Sequence, residues 1–205
     1  MYLSLSASYE GNACAVKDSI IKFTKIEGET QFFDWLAASM KSVNQILENT
    51  PILFESNYIY PNALNTTSIN FKNFDLLKSH HDIHEFNENS INEITQKYTR
   101  RYERLIHTIK EQHTIFFIRY CKNADNIEEN EININPNLVF KFILISDCDN
   151  LIIPNSLLKD NFIYINLNNY IDDNLNNYID DDILNETNAY LQIVKKYKCV
   201  FNIVN

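Results

Sequence analysis

Cys14, in "EGNACAV", has the setting best suited to covalent chemistry. It follows a short β-prone run, "YLSLSA", and opens a stretch in which Ala13, Val16, Ile20 and Ile21 recur at helical spacing behind Asn12 as N-cap. A thiol at a helix N-terminus meets free N–H groups and partial positive charge, and both favour thiolate over thiol. The same N–H groups can hold an oxyanion once sulfur attacks a carbonyl carbon. Such a nucleophile needs a base, and "SHHDIHEF" supplies His80, His81 and His84 with Asp82 among them. A small, buried and inert Cys14 is the alternative reading. For the histidines the alternatives are a solvated loop or a metal pair at His80 and His84, but no second His or Cys pair completes a metal site.

Carboxylates and guanidiniums add a second layer. Asp34 stands in "FFDWL" beside Trp35, the only tryptophan, where burial makes a charge expensive. It either caps the helix expected to start there or orients a histidine as the acid of a Cys-His-acid arrangement. Asp82 competes for the orienting role. So does Asp147 in "SDCDN", which follows an expected strand but also has ordinary turn composition. "YTRRYERL" sets Arg100 and Arg104 four apart on one helical face, with Arg101 and Glu103 between, and "IFFIR" ends on Arg119. Such arginines hold carboxylates or phosphates, or form salt bridges along a solvated helix face.

The elements that must position these groups follow from hydrophobic periodicity. Phe33, Leu36, Ala37, Met40, Val43, Ile46 and Leu47 repeat at three and four residues, which predicts one amphipathic helix ending before Pro51. "ILFESNYIY" reads as a strand, and residues 61–89 read as irregular. A long helix is expected through "NEITQKYTRRYERLIHTIKEQ". The runs "TIFFIRY", "LVFKFILIS", "NFIYINL" and "CVFNIV" read as buried strands, the last after a helix near Asn188 to Lys196. Buried strands separated by helices predict a layered α/β fold, a mostly parallel sheet flanked by helices. No linker divides the chain, so residues 1–205 read as a single domain. The repeat "LNNYIDDN", "LNNYIDDD" within residues 167–182 lacks the glycine of a calcium loop and reads as a solvated surface segment.

Composition excludes several functions. A net charge of −9 argues against nucleic acid or an anionic membrane as partner. Cys14, Cys121, Cys148 and Cys199 are scattered, which suits free thiols in a reducing compartment. The N-terminal stretch lacks a basic segment and a long apolar core, so a cytoplasmic location is expected. Only two glycines occur, while Asn, Ile, Tyr, Phe and Lys abound. These types share A/T-rich codons and point to a viral or microbial genome of that composition.

Taken in order, "YLSLSASYEGNAC", "FFDWLAASMKSVNQIL", "HHD", "RRYERL" and "IFFIR" resemble the papain-like cysteine peptidases grouped as domain of unknown function 1796. The resemblance covers about residues 2–120, and residues 121–205 complete the α/β sheet. It implies that Cys14 is the nucleophile and His81, paired with Asp82, the base. Asp34 and Trp35 fall on its Phe-Asp-Trp motif, and Arg100, Arg101, Arg104 and Arg119 on its arginine positions. The segment before Cys14 is longer here, with "SASYE" intervening. The implied activity is a cysteine hydrolase, peptidase or acyl transferase, acting on a protein, peptide or small acyl substrate without metal or cofactor. The implied fold alternative is a papain-like α+β arrangement. Two further readings stand beside it: a non-catalytic module binding an anionic or glycan-like ligand, and an interaction protein that kept the fold without the chemistry.

Overall fold

A computed structural model describes residues 1–7, 16–17, 20–21, 29–48, 59–62, 65–79, 82–112, 114–121, 140–146 and 161–166. Strands β1 (Tyr2–Ala7), β2 (Leu36–Ala38), β3 (Ile59–Asn62), β4 (Asn65–Phe71), β5 (Leu77–Ser79), β6 (Ile115–Cys121), β7 (Phe140–Ser146) and β8 (Phe162–Asn166) form one sheet. Their order is β3-β4-β5-β2-β1-β6-β7-β8. From β2 through β1, β6 and β7 to β8 the neighbours run parallel. On the other side β2-β5-β4-β3 run antiparallel. The layered α/β expectation holds.

Central strands β6 and β7 are β-branched and aromatic, and most of their residues are buried, as strands covered on both faces require. Alternate residues feed two cores. Leu3, Leu5, Ile115, Phe117, Phe142 and Leu144 face helices α1 (Met40–Leu47) and α2 (Glu88–Glu111), which contribute Val43, Ile46, Ile94, Tyr98 and Leu105. Ile118, Tyr120, Ile143, Ile145 and Ile165 pack instead with Val16 and Ile20, which are helical along with Lys17 and Ile21.

Helix α2 begins with a capping box. Ser90 N–H donates to Asn87 Oδ1 and Asn87 N–H to Ser90 Oγ, both at 3.0 Å. Glu88 and Lys110 sit at the ends where the helix dipole favours their charges.

The expected helix from Phe33 to Leu47 is corrected. Residues 32–35 form a turn, Leu36–Ala38 form β2, and the helix starts only at Met40. Its N-cap is Ser39, whose Oγ accepts from Ser42 N–H at 3.2 Å, so Asp34 caps nothing there. Phe33 in the turn and Leu36 and Ala37 within β2 are all buried, which imitates helical spacing in the sequence. Residues 61–89 are also more ordered than expected, since they supply β4 and β5. The expected strand "CVFNIV", the helix near Asn188, the repeat at 167–182 and the Asn12 cap lie outside the described residues.

The join between the two halves of the sheet is narrow. Strand β2 pairs with β1 through Ala7↔Ala37 and with β5 through Leu36↔Ser79, Ala37↔Lys78 and Ala38↔Leu77. Strand β1 carries an irregularity beside it. The steps from Ser4 to Ala7 answer only those from Ile118 to Tyr120 on β6. Arg119 fills this place and is fully buried. Its Nη1 donates to the Leu5 carbonyl at 3.0 Å and its Nη2 to the Ala38 carbonyl at 2.9 Å. Arg119→Leu leaves both carbonyls without that donor, and a stability loss on the order of 3 kcal/mol is expected from urea unfolding. A loss below about 1 kcal/mol would show that the guanidinium does not hold the join.

Candidate functional site

The turn that precedes β2 is built around Asp34. Its N–H donates to the Gln31 carbonyl at 3.3 Å, and Leu36 N–H donates to the Phe33 carbonyl at 3.2 Å. Asp34 Oδ2 accepts from Gln31 N–H at 2.8 Å and pairs with Lys17 Nζ at 2.8 Å. The Asp34 side chain is 1% exposed and that of Lys17 10% exposed, so this is an ion pair taken out of water. Burial pushes the Asp34 carboxyl above its ordinary range, while Lys17, the Gln31 N–H and the charge of Arg101 pull it back. Asp34 Oδ1 and Gln31 Oε1 are buried and have no hydrogen-bond partner among the described residues.

Trp35 completes the turn at φ 70°, in the left-handed region, and is half-buried. A side chain with a Cβ costs about 1–2 kcal/mol there, so the surroundings must hold it in place. Helix α2 supplies much of that support. Phe32 meets Phe33, Tyr98 and Tyr102 edge-on, with ring centroids 5.1, 5.8 and 6.2 Å apart. Arg104 Nη1 donates to the Thr30 carbonyl, and its Nε pairs with Glu29 at 2.8 Å. Arg101 lies over the Tyr98 ring, 5.5 Å from its centroid, and Arg100 is exposed.

Asp82 has a different environment. Its Oδ2 accepts from Ser79 Oγ and Tyr98 OH, and its Oδ1 pairs with Lys97 Nζ. Burial alone would raise this carboxyl, but the bonds from Lys97, Ser79 and Tyr98 together outweigh it and hold it below its ordinary range. Burial and the neighbouring Asp82 charge push the Tyr98 phenol well up, so it stays a donor.

Cys14, His81 and Asp147 lie outside the described residues, and so does His80. Their described neighbours are informative for two of them. Lys17, three residues after Cys14, is bound to Asp34. Ser79, two residues before His81, pairs with Leu36, two residues after Asp34. Asp82, directly after His81, is fastened to helix α2. Lys17 is thus tied to the Asp34 turn itself, Ser79 to the strand that this turn enters, and Asp82 to the helix packed on the turn. Arg119 sits inside the sheet and Arg104 on the turn's backbone, while His84 is exposed. Among the described residues no three His, Cys, Asp or Glu side chains group as a metal site.

A family model described as "Putative papain-like cysteine peptidase (DUF1796)" matches residues 6–142, well over half of the chain. The chain belongs to this family. The match runs past the region of resemblance, through β6 and into β7, and takes in every candidate residue except Asp147. No curated protein and no solved structure matches the chain. Among the described residues no helix is long and apolar enough to cross a membrane.

Sequence reasoning did not single out Lys17, Gln31, Ser79, Lys97 or Tyr98. The available signal was spacing: Lys17 follows Cys14 by one helical turn, and Lys97 and Tyr98 precede Arg101 by one.

Two outcomes test the electrostatics. Asp34→Asn strands a buried ammonium and is expected to cost about 3–5 kcal/mol, whereas the double change Lys17→Met with Asp34→Leu should recover most of that in thermal melts. For Asp82 the folded value lies below the unfolded one. Its stabilisation is therefore present above about pH 4 and lost as pH falls through the folded value. Asp82→Asn should lower stability at pH 7 and flatten the acid limb of the stability profile. An acid limb identical to wild type would count against the three-donor clamp.

Proposed function

We propose that the chain is a thiol hydrolase or acyl transferase in which Cys14 is the nucleophile, His81 the base and Asp34 the residue that orients His81. The observation that carries this reading is the shared anchoring described above. Lys17, three residues after Cys14, pairs with Asp34, and Ser79, two residues before His81, pairs with Leu36 in the strand that the Asp34 turn enters.

Asp34 is favoured over Asp82 as the orienting acid on chemical grounds. Both Asp82 oxygens already accept from Ser79, Tyr98 and Lys97. Asp34 keeps one buried oxygen without a donor among the described residues, and an imidazole N–H satisfies such an atom. His81 takes the thiol proton, and the Cys14 sulfur bonds to the substrate carbonyl carbon. The oxyanion is held by backbone N–H groups near residues 13–15. Imidazolium returns the proton to the leaving group as its bond to carbon breaks, and water or another acceptor then releases the acyl group. Trp35, next to Asp34, supplies apolar surface for the substrate.

The test is the pH dependence of alkylation at Cys14, followed by mass of the Cys14 peptide in wild type, His81→Ala and Asp34→Asn. The expected thiolate forms well below the ordinary value of about 8.5 and returns toward it in His81→Ala. Asp34→Asn should give an intermediate shift. A thiol with an ordinary or raised value, indifferent to His81, would reduce Cys14 to a packing residue.

A further inference from the structure

Four cations on helix α2 or against the Asp34 carboxylate are at least half-buried, and three of them are answered within the chain. Lys17 pairs with Asp34, Lys97 with Asp82, and Arg104 with Glu29 and the Thr30 carbonyl. Arg101 is the exception. It is half-buried, and among the described residues its guanidinium makes neither a hydrogen bond nor an ion pair. The Asp34 carboxylate feels its charge, but the bonds to Asp34 come from Lys17 and Gln31.

Arg101 is nevertheless held in position. It stacks over the ring of Tyr98, whose hydroxyl is fixed by Asp82. A guanidinium resting on an aromatic face keeps its in-plane N–H donors free for a planar acceptor, with its conformational freedom already reduced. With Lys17, Lys97 and Arg104 each paired, the Arg101 guanidinium offers one positive charge, which matches one carboxylate better than a phosphate dianion. The chain's net charge of −9 disfavours long-range attraction of an anion, so the selection acts on contact.

We infer that Arg101 is a specificity residue that binds a substrate carboxylate, so that the site takes acidic peptides. This rests on the thiol-hydrolase reading for its place beside the chemistry, although the binding itself does not require the thiol. A single acidic side chain near the scissile carbonyl would be gripped by the guanidinium fork while the backbone reaches Cys14.

The experiment compares two blocked tetrapeptides, acetyl-Ala-Glu-Ala-Ala-amide and its Gln counterpart, on the full-length Cys14→Ala chain. Binding is read from the Arg101 Nε–H resonance and from calorimetry. The Glu peptide should move that resonance saturably and bind about tenfold more tightly than the Gln peptide, as a charge-assisted bond predicts. Arg101→Gln should bring the two affinities together. Equal affinities in the parent chain, or no binding by either peptide, would overturn the inference. The ratio of iodoacetate to iodoacetamide rates at Cys14 in the unaltered chain should also fall several-fold in Arg101→Gln. If Cys14 resists both reagents while the Glu preference persists, the carboxylate subsite stands and the thiol reading fails.

Discussion

Arg119 lies wholly inside the sheet, with its Nη1 donating to the carbonyl of Leu5 and its Nη2 to that of Ala38. Those carbonyls belong to β1 and β2, which share just the Ala7↔Ala37 register pair. A guanidinium is one of the few groups long and donor-rich enough to bridge such a gap from a third strand. Most of the candidate site hangs from this join. The Asp34 turn leads into β2, helix α1 leaves it one residue later, and β5 delivers the His81 segment along its other edge. Leu36, Ala37 and Ala38 are fully buried, and the two alanines leave room for neighbouring backbones to approach.

Two carboxylates near this join have opposite electrostatic fates. Asp82 is surrounded by donors and held ionised, whereas Asp34 is driven upward by burial despite Lys17. Environments that separate acids in this way commonly divide structural from chemical duty. Asp82 acts as a fastener between β5 and helix α2. Asp34 retains an oxygen that meets no donor among the described residues. The cost of keeping it there is shared with Trp35, whose left-handed backbone persists because the aromatic packing around Phe32 leaves the turn little alternative.

The long helix and the strands β6, β7 and β8 were legible because their signals are local: sustained helical spacing with caps, and runs of β-branched and aromatic residues. The layered architecture followed from them. Strand β2 was not legible. Its three residues continue the apolar spacing of helix α1, and its strand character comes from β1 and β5 on either side. Strand β4, "NTTSINF", was obscured by asparagines in an Asn-rich chain. The segments "FDW" and "RRYERL" lie side by side, since Arg104 bonds the backbone leading into the Asp34 turn and Phe32 packs on Tyr98 of helix α2. Which arginine is enclosed and which is available depends on contacts between distant segments. Arg119 and its carbonyl partner Leu5 are 114 positions apart.

That separation also shapes how the chain acquires its fold. Strand β1 is made first, yet its parallel partner β6 is synthesised over a hundred positions later, after helix α2. Until then Leu3 and Leu5 have no central neighbour on that side, and the antiparallel group β3-β4-β5 has contacts close in sequence that can form sooner. Helix α2, with its own capping box, can also organise early. Closure of β1 onto β6, with Arg119 brought inside, is then a late, long-range event, and a chain stalled before it presents an unpaired apolar strand to its neighbours.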